Sequence, residues 1–317
     1  MAQAPSYIGI DLGGTHVRAA RVDAEGRILA ADRRQTSQDG PDAVTRQIVD
    51  LVARVRAAGS RGIGIGVPGA IDAAAGRVLN IPALAGWAGV PLVEAVSQAS
   101  GLPCTLENDA KAAALGEWRA GAGKGCDNLA YVTVGTGIGG GMIVEGRLIR
   151  GVGGLAGEVG HTHVTDSPQQ CACGRYGCWQ AVASGPALAA RARMAVAADP
   201  AARIAVLAGR ETITAFHVAE AAREGDGLAS ALLSEFARFL GMGFANIQHC
   251  YSPSRIIMGG GMSALFDLLQ AEMASALRAG LLPGFPPAQI VAAKLGDDAG
   301  LVGAAMIARE ADRSPEE

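Results

Sequence analysis

Tyr7-Ile-Gly-Ile-Asp-Leu-Gly-Gly-Thr15 and Leu129-Ala-Tyr-Val-Thr-Val-Gly-Thr-Gly-Ile-Gly-Gly-Gly141 are the two stretches that decide the fold. Each is a short apolar run that breaks into glycines, the pattern of a buried strand ending in a tight loop. The segments downstream of the two are also alike. After the first, Val17 to Val22 predicts a second strand, Glu25-Gly26 a turn, and Arg27 to Ala30 a third strand. After the second, Met142-Ile-Val144 continues a strand, Glu145-Gly146 turns it, and Arg147-Leu-Ile149 returns. Glu25-Gly-Arg-Ile-Leu29 and Glu145-Gly-Arg-Leu-Ile149 are nearly the same words about 120 residues apart, too long a period for a solenoid. The chain therefore reads as two similar α/β lobes, each opening with a β-hairpin that carries a glycine loop.

The segments between fit that frame. Residues 41–58 space Val44, Ile48, Leu51, Val52 and Val55 as one helix face behind Pro41. Ile63-Gly-Ile-Gly-Val67 is a strand, 68–91 a Pro/Gly-rich loop, 91–100 a helix, 103–107 a strand, and Asp109 to about Arg119 a helix. Residues 181–250 are Ala-rich and nearly all helical. Arg255-Ile-Ile-Met-Gly-Gly-Gly261 repeats the strand-into-glycine pattern. A helix at 263–279, a strand from Ala288 to Leu295 and a helix from Gly300 to Arg309 complete the chain. The tail, Ser314-Pro-Glu-Glu317, is expected to be disordered.

Bulk properties narrow the function. With 317 residues, 50% hydrophobic and 18% charged, the chain has material for about two packed domains. A net charge of -3 without a basic stripe excludes nucleic acid as the expected partner. The absence of an 18-residue apolar run argues against a membrane span. The start, Met1-Ala-Gln-Ala-Pro-Ser6, lacks the basic and apolar regions of a signal peptide, so a cytoplasmic protein is expected.

Three sites carry chemistry. The glycine loops, Gly13-Gly14-Thr15, Gly135-Thr136-Gly137 and Gly259-Gly260-Gly261, can turn backbone N–H groups toward an anion. The first two match neither the Walker pattern nor the dinucleotide fingerprint, and each leads into another strand. Asp11 beside such a loop would repel a phosphate unless a cation intervenes, which suggests Mg²⁺ with a nucleotide. Glu107-Asn108-Asp109 joins a strand to a helix. Asn108 or Asp109 could simply cap that helix, or Asp109 could accept the proton of an attacking hydroxyl, as phosphoryl transfer to an alcohol requires. Finally, Cys171, Cys173 and Cys178 fall within eight residues, with His161 ten residues upstream. In a reducing compartment that pattern reads better as a structural zinc set, three thiolates and one imidazole, than as disulfides or inert thiols; His163 is the rival fourth ligand.

Together these stretches resemble the ROK family (repressors, open reading frames and kinases), sugar kinases of the actin/hexokinase/heat-shock-ATPase superfamily. The carrying residues are Asp11-Leu-Gly-Gly-Thr15, Glu107-Asn-Asp109, Gly135-Thr-Gly-Ile-Gly-Gly-Gly141, Gly157-Glu-Val-Gly-His161, Cys171-Ala-Cys-Gly-Arg-Tyr-Gly-Cys178 and Gly259-Gly-Gly261. The resemblance implies an α/β, two-lobed actin-like (ribonuclease H-like) fold with a ligand cleft between lobes. Residues 1–118 plus about 297–312 would form one lobe, and 119–296, with a zinc loop and helical insertion, the other. It implies ATP-dependent phosphorylation of the 6-hydroxyl of a free hexose. Glucose comes first, because Ala156-Gly-Glu-Val-Gly-His161 has the glucokinase-like arrangement. N-acetylmannosamine, N-acetylglucosamine, mannose and fructose are the alternatives, and polyphosphate is an alternative donor.

Residue by residue, the resemblance makes Asp109 the general base, and Asn108 a ligand of the neighbouring sugar hydroxyls. Glu158 and His161 would bind the anomeric end, and the backbone of Gly69 would line the sugar pocket. Asp11, Gly13, Gly14, Thr15, Gly135, Thr136 and Gly137 would hold MgATP, with Gly259, Gly260 and Gly261 near the nucleoside. His161, Cys171, Cys173 and Cys178 would hold zinc. A homodimer, a cytoplasmic location and a role in glycolysis are further family-level expectations. A repressor of the family would need a helix-turn-helix domain ahead of Asp11, and a non-catalytic sugar sensor would not need Asp11, Asp109 and both phosphate loops. One position departs from the family pattern: Gln180 stands where a glutamate is usual, two residues after Cys178. A neutral amide both donates and accepts, so altered recognition at the C1/C2 side of the sugar is expected.

Overall fold

The computed structural model describes residues 4–82, 84–197, 199 and 201–313; the tail expected to be disordered lies outside them. In chain order the elements begin with β1 (Ser6–Leu12), β2 (His16–Asp23), β3 (Ile28–Gln35), α1 (Pro41–Val55), β4 (Ser60–Val67) and β5 (Ala70–Asp72). Next come β6 (Arg77–Asn80), α2 (Leu92–Ser100), β7 (Cys104–Asn108), α3 (Asp109–Ala120), β8 (Leu129–Val134), β9 (Ile138–Val144) and β10 (Arg147–Leu148). A helical stretch comes after them: α4 (Trp179–Ala183), α5 (Gly185–Val196), α6 (Arg203–Ala208), α7 (Ala215–Arg223) and α8 (Gly227–Tyr251). The chain closes with β11 (Arg255–Gly259), α9 (Phe266–Gly280), β12 (Gln289–Ala292) and α10 (Ala299–Asp312).

The repeat legible in the sequence is a repeat of topology. One sheet has the order β3-β2-β1-β4-β7 and the other β10-β9-β8-β11-β12. Counting each sheet from its own first strand, both read 3-2-1-4-5. By its internal contacts the chain divides into two compact units, whose bounds do not coincide with the two sheets. The first comprises the chain up to Tyr131, Gly141–Gly157 and the segment from Ala293 onward; the second comprises Val132–Gly140 and Glu158–Ala292.

In the first unit, β1 runs antiparallel to β2 and parallel to β4, which is parallel to β7. Ile8, Ile10, Leu12, Ile63, Ile65 and Val67 are buried against Val44, Ile48, Leu51 and Val52 of α1, the face expected from spacing. The opposite side of the sheet is covered by α10, and the packing there is backbone on backbone. A Cβ on Gly9 would lie 1.9 Å from the Leu301 carbonyl oxygen, and one on Gly64 1.8 Å from that of Ala304. Between α10 and α3 the same holds, since a Cβ on Gly303 would lie 1.6 Å from the Ala112 carbonyl oxygen. Glu117, fully buried, completes the joint. Its two carboxylate oxygens accept the N–H groups of Leu295 and Ala122, each at 2.6 Å.

The structure departs from the sequence reading in several places. The 68–91 loop contains the β5–β6 hairpin, whose strands are too short to show alternation. β3 runs on to Gln35 because an edge strand bonded only to β2 tolerates its polar, alternately exposed residues. The helix expected from 263 begins at Phe266, after a 3₁₀ turn over Gly261–Leu265. The last strand is confined to Gln289–Ala292. α8 has 25 residues and a window of mean hydropathy 1.2, enough to span a bilayer by length and composition, although Glu235 and Arg238 interrupt its apolar sequence. That window is 56% buried, with Phe236, Leu240 and Phe244 inside, which is the pattern of a core helix. In the same unit the Trp179 ring meets Phe244 edge-on at 5.6 Å and packs where Gly243 leaves no room for a Cβ.

The glycine contacts with α10 give a direct stability prediction. Gly64→Ala drives a methyl into the α10 backbone and should cost about 3 kcal/mol or more in urea unfolding. Gly62→Ala, where the added Cβ meets its nearest neighbour at 3.5 Å, should be close to neutral. Equal stabilities would contradict backbone contact between α10 and the sheet.

Candidate active site

In the first unit, register brings the expected residues to one edge. Asp11 of β1 pairs with Gly66 of β4, and Val67 of β4 with Asn108 of β7. Asp11, Gly69, Asn108 and Asp109 therefore cluster around the carboxyl ends of three parallel strands, where α/β sheets usually bind ligands. Asn108 is the cap of α3. Its Oδ1 accepts the N–H groups of Ala110 at 3.1 Å and Lys111 at 3.3 Å, and its Nδ2 donates to the Gly69 carbonyl oxygen at 3.5 Å. Capping thus falls to Asn108. Asp109 is the first helical residue, half-buried, with Oδ1 accepting the Ala110 N–H at 2.8 Å. Gly69 has φ +89, and a Cβ there would lie 2.3 Å from the Asn80 carbonyl oxygen, so the turn requires glycine.

Behind this pair stand charged residues to which the sequence reading gave no role. The buried carboxylate of Glu107 accepts the Asn108 N–H at 3.1 Å and the Arg150 Nε–H at 2.7 Å. Lys111, also buried, donates from Nζ to the Gly154 carbonyl oxygen at 2.7 Å. Buried charges persist only when paired or hydrogen-bonded, and these fix the strand-to-helix junction that carries Asp109. The available signal was Lys111 and Glu117, two charged residues in the midst of the Ala-rich sequence of α3.

Asp11 sits in a charged corner of the same unit. Arg18 Nη1 lies 3.8 Å from its carboxylate and donates to the Asp297 carbonyl oxygen at 2.6 Å, while Nη2 pairs with Asp298. Burial pushes the Asp11 pKa above the ordinary carboxylate value; Arg18 opposes this, and Asp297 and Asp298 add to it. The Gly13 N–H closes the hairpin on the His16 carbonyl oxygen at 2.8 Å, so that donor is already used in the turn.

The second unit gathers the remaining residues. The Gly135 N–H donates to the Gly137 carbonyl oxygen at 2.9 Å, leaving Thr136 exposed at the tip of the loop. A Cβ on Gly135 would lie 3.9 Å from Gly261 N, so this loop and the Gly259–Gly261 loop are neighbours. Gly260 (φ +77) has no room for a side chain, with the Val134 carbonyl oxygen 2.5 Å from any Cβ. Glu158 is exposed and leads into the 3₁₀ turn Val159–His161, which Gly160 packs against Ile138.

His161, Cys171, Cys173 and Cys178 bring their ligand atoms within 4.8 Å of one another. The Cys173 and Cys178 sulfurs are 3.6 Å apart, and Cys171 Sγ is 3.8 Å from His161 Nδ1. Metal–sulfur bonds of about 2.3 Å in a tetrahedron place sulfurs about 3.8 Å apart, so the set fits zinc. As bare thiols the set is uneasy. Burial, then the neighbouring cysteines, push Cys178 up to about 12, an effect that a divalent cation reverses. The rival His163 points elsewhere, exposed and 3.5 Å from Asp166. Gln180 lies between this cluster and the Gly135 loop, its Nε2 3.3 Å from Cys171 Sγ and its Oε1 3.3 Å from the Ile138 N.

Known proteins resemble this chain over nearly its whole length. A glucokinase of Streptomyces coelicolor is 39% identical over 312 residues, covering 96% of this chain and 98% of its own. A glucokinase of Thermotoga maritima is 36% identical over 307 residues, covering 96% and 97%. Among solved structures, a ROK family glucokinase from Streptomyces griseus in complex with glucose and AMPPNP superposes with a TM-score of 0.83. It is 40% identical, with 96% of this chain and 99% of that one covered. The description of the ROK family matches residues 7–311, and the chain belongs to that family.

Proposed function

We propose that the protein is an ATP-dependent sugar kinase that transfers the γ-phosphoryl group of ATP to the 6-hydroxyl of glucose. The observation that carries this reading is Asp109, a half-buried carboxylate at the first turn of α3, set by the Asn108 cap at the carboxyl edge of the sheet. Chain-long likeness to glucokinases, one of them solved with glucose and an ATP analogue, supports glucose as acceptor and ATP as donor.

In this reading Asp109 accepts the proton of the sugar 6-hydroxyl as its oxygen bonds to the γ-phosphorus. The bond from that phosphorus to the β,γ-bridging oxygen breaks, and ADP leaves with the electron pair. Asn108 and the Gly69 backbone orient the sugar. Glu158 and His161 serve its anomeric end. The Gly135–Gly137 loop and the neighbouring Gly259–Gly261 loop receive the nucleotide, and Asp11 steadies Mg²⁺. His161, Cys171, Cys173 and Cys178 would hold zinc, which supplies no reaction step. So held, these four residues would pin the irregular segment between β10 and α4, including the turn at His161.

Asp109→Asn keeps the size of the side chain and removes the base. It should lower kcat by about 10² to 10⁴ while glucose binding stays measurable by calorimetry; full turnover in this variant would overturn the assignment. Asp11 gives a prediction of opposite signs. Its raised pKa means the charged form is the costly one in the folded chain, so stability is lost as pH rises from the ordinary carboxylate value through the raised one. Asp11→Asn should therefore melt about 2 °C higher at neutral pH without nucleotide, yet lose most of its phosphoryl transfer. Removing the opposing cation with Arg18→Gln should move the acid limb of the kcat/KM profile to higher pH. An unmoved limb would separate Asp11 from magnesium binding.

A further inference from the structure

Gln180 joins two segments of the second unit that have different tasks. Its Oε1 accepts the N–H of Ile138, the residue next after Gly135-Thr136-Gly137, at 3.3 Å. Its Nε2 lies 3.3 Å from the sulfur of Cys171. The orientation of the amide is dictated by chemistry. A backbone N–H can only donate, so the oxygen must face Ile138, which leaves the NH₂ group for the sulfur. The loop touches the amide directly, because a Cβ on Gly137 would lie 3.1 Å from Oε1. As a metal-bound thiolate, Cys171 would make the N–H···S contact charge-assisted and so stronger.

The glutamate usual at this position cannot do both. Its oxygens only accept, so it could serve Ile138 but would set a negative charge against a thiolate. We propose that Gln180 is a positioning residue coupling the metal-binding loop to the phosphate loop: its amide donates to Cys171 and accepts from Ile138, so the cluster holds the Gly135–Ile138 backbone in place. This rests on the reading of the cysteine cluster as a zinc site and of the Gly135 loop as the phosphate loop. Both polar atoms of the amide are engaged within the protein, so the first effect of changing it falls on the metal and the nucleotide.

Two variants separate the two bonds. Gln180→Glu keeps an acceptor for Ile138 and loses the donor to sulfur; Gln180→Met keeps the length and loses both. In cobalt-loaded protein, the thiolate-to-cobalt charge-transfer band should move to longer wavelength in both, and further in Gln180→Glu. Release of zinc to a colorimetric chelator should quicken about tenfold in each. KM for ATP should rise severalfold in Gln180→Met and less in Gln180→Glu, while KM for glucose moves less than either. A wild-type protein that takes up neither cobalt nor zinc overturns the metal reading and this one together. Loaded variants with an unmoved band and wild-type zinc release overturn this one alone. A shifted band with unchanged KM for ATP overturns the coupling to the phosphate loop.

Discussion

The contact on which the first unit depends is that of α10 against β1, β4 and α3, made backbone to backbone at three glycines. Gly9, Gly64 and Gly303 allow backbone to touch backbone, and any methyl there would overlap a carbonyl oxygen. Such a joint permits one sliding position only. It brings Gly300 to within 3.5–3.7 Å of the Asp11 carboxylate, measured from an added Cβ, and holds α3, whose first residue is Asp109. Buried Glu117 closes the same joint with two hydrogen bonds, one to each side of it. The placement of both acids is thus set by packing, with strand register fixing their common edge.

The second unit solves a comparable problem with different means. Around its irregular 158–178 segment, hydrogen bonds and a cysteine-histidine cluster hold the chain. Trp179 is buried against α8 through Gly243 and donates from Nε1 to the Phe239 carbonyl oxygen at 2.8 Å. That anchors the residues on either side of it, Cys178 and Gln180. From there the cluster and the Gly135 loop are one side chain apart.

Much of this was legible because glycine, cysteine and alternating apolar residues leave strong marks. The doubled strand–glycine–strand pattern gave the two sheets, and the cysteine spacing gave the cluster. Asp109 was ambiguous between cap and base, and the structure gives the cap to Asn108. The choice of His161 over His163 needed three dimensions, since both lie close upstream of Cys171. The β5–β6 hairpin left no periodic signal. Glu107, Arg150 and Arg18 act through partners distant in sequence, which a single chain read locally does not disclose. Gln180 was visible as a departure from the family pattern, but its two hydrogen-bond partners were not.

The central claim, that this chain phosphorylates a free hexose, is tested most directly by coupled ADP release over a panel of sugars, with the product identified by NMR. The account predicts glucose-dependent release of one ADP per glucose 6-phosphate formed, requiring magnesium. ADP release that ignores every sugar, or a product phosphorylated away from the 6-position, would contradict it.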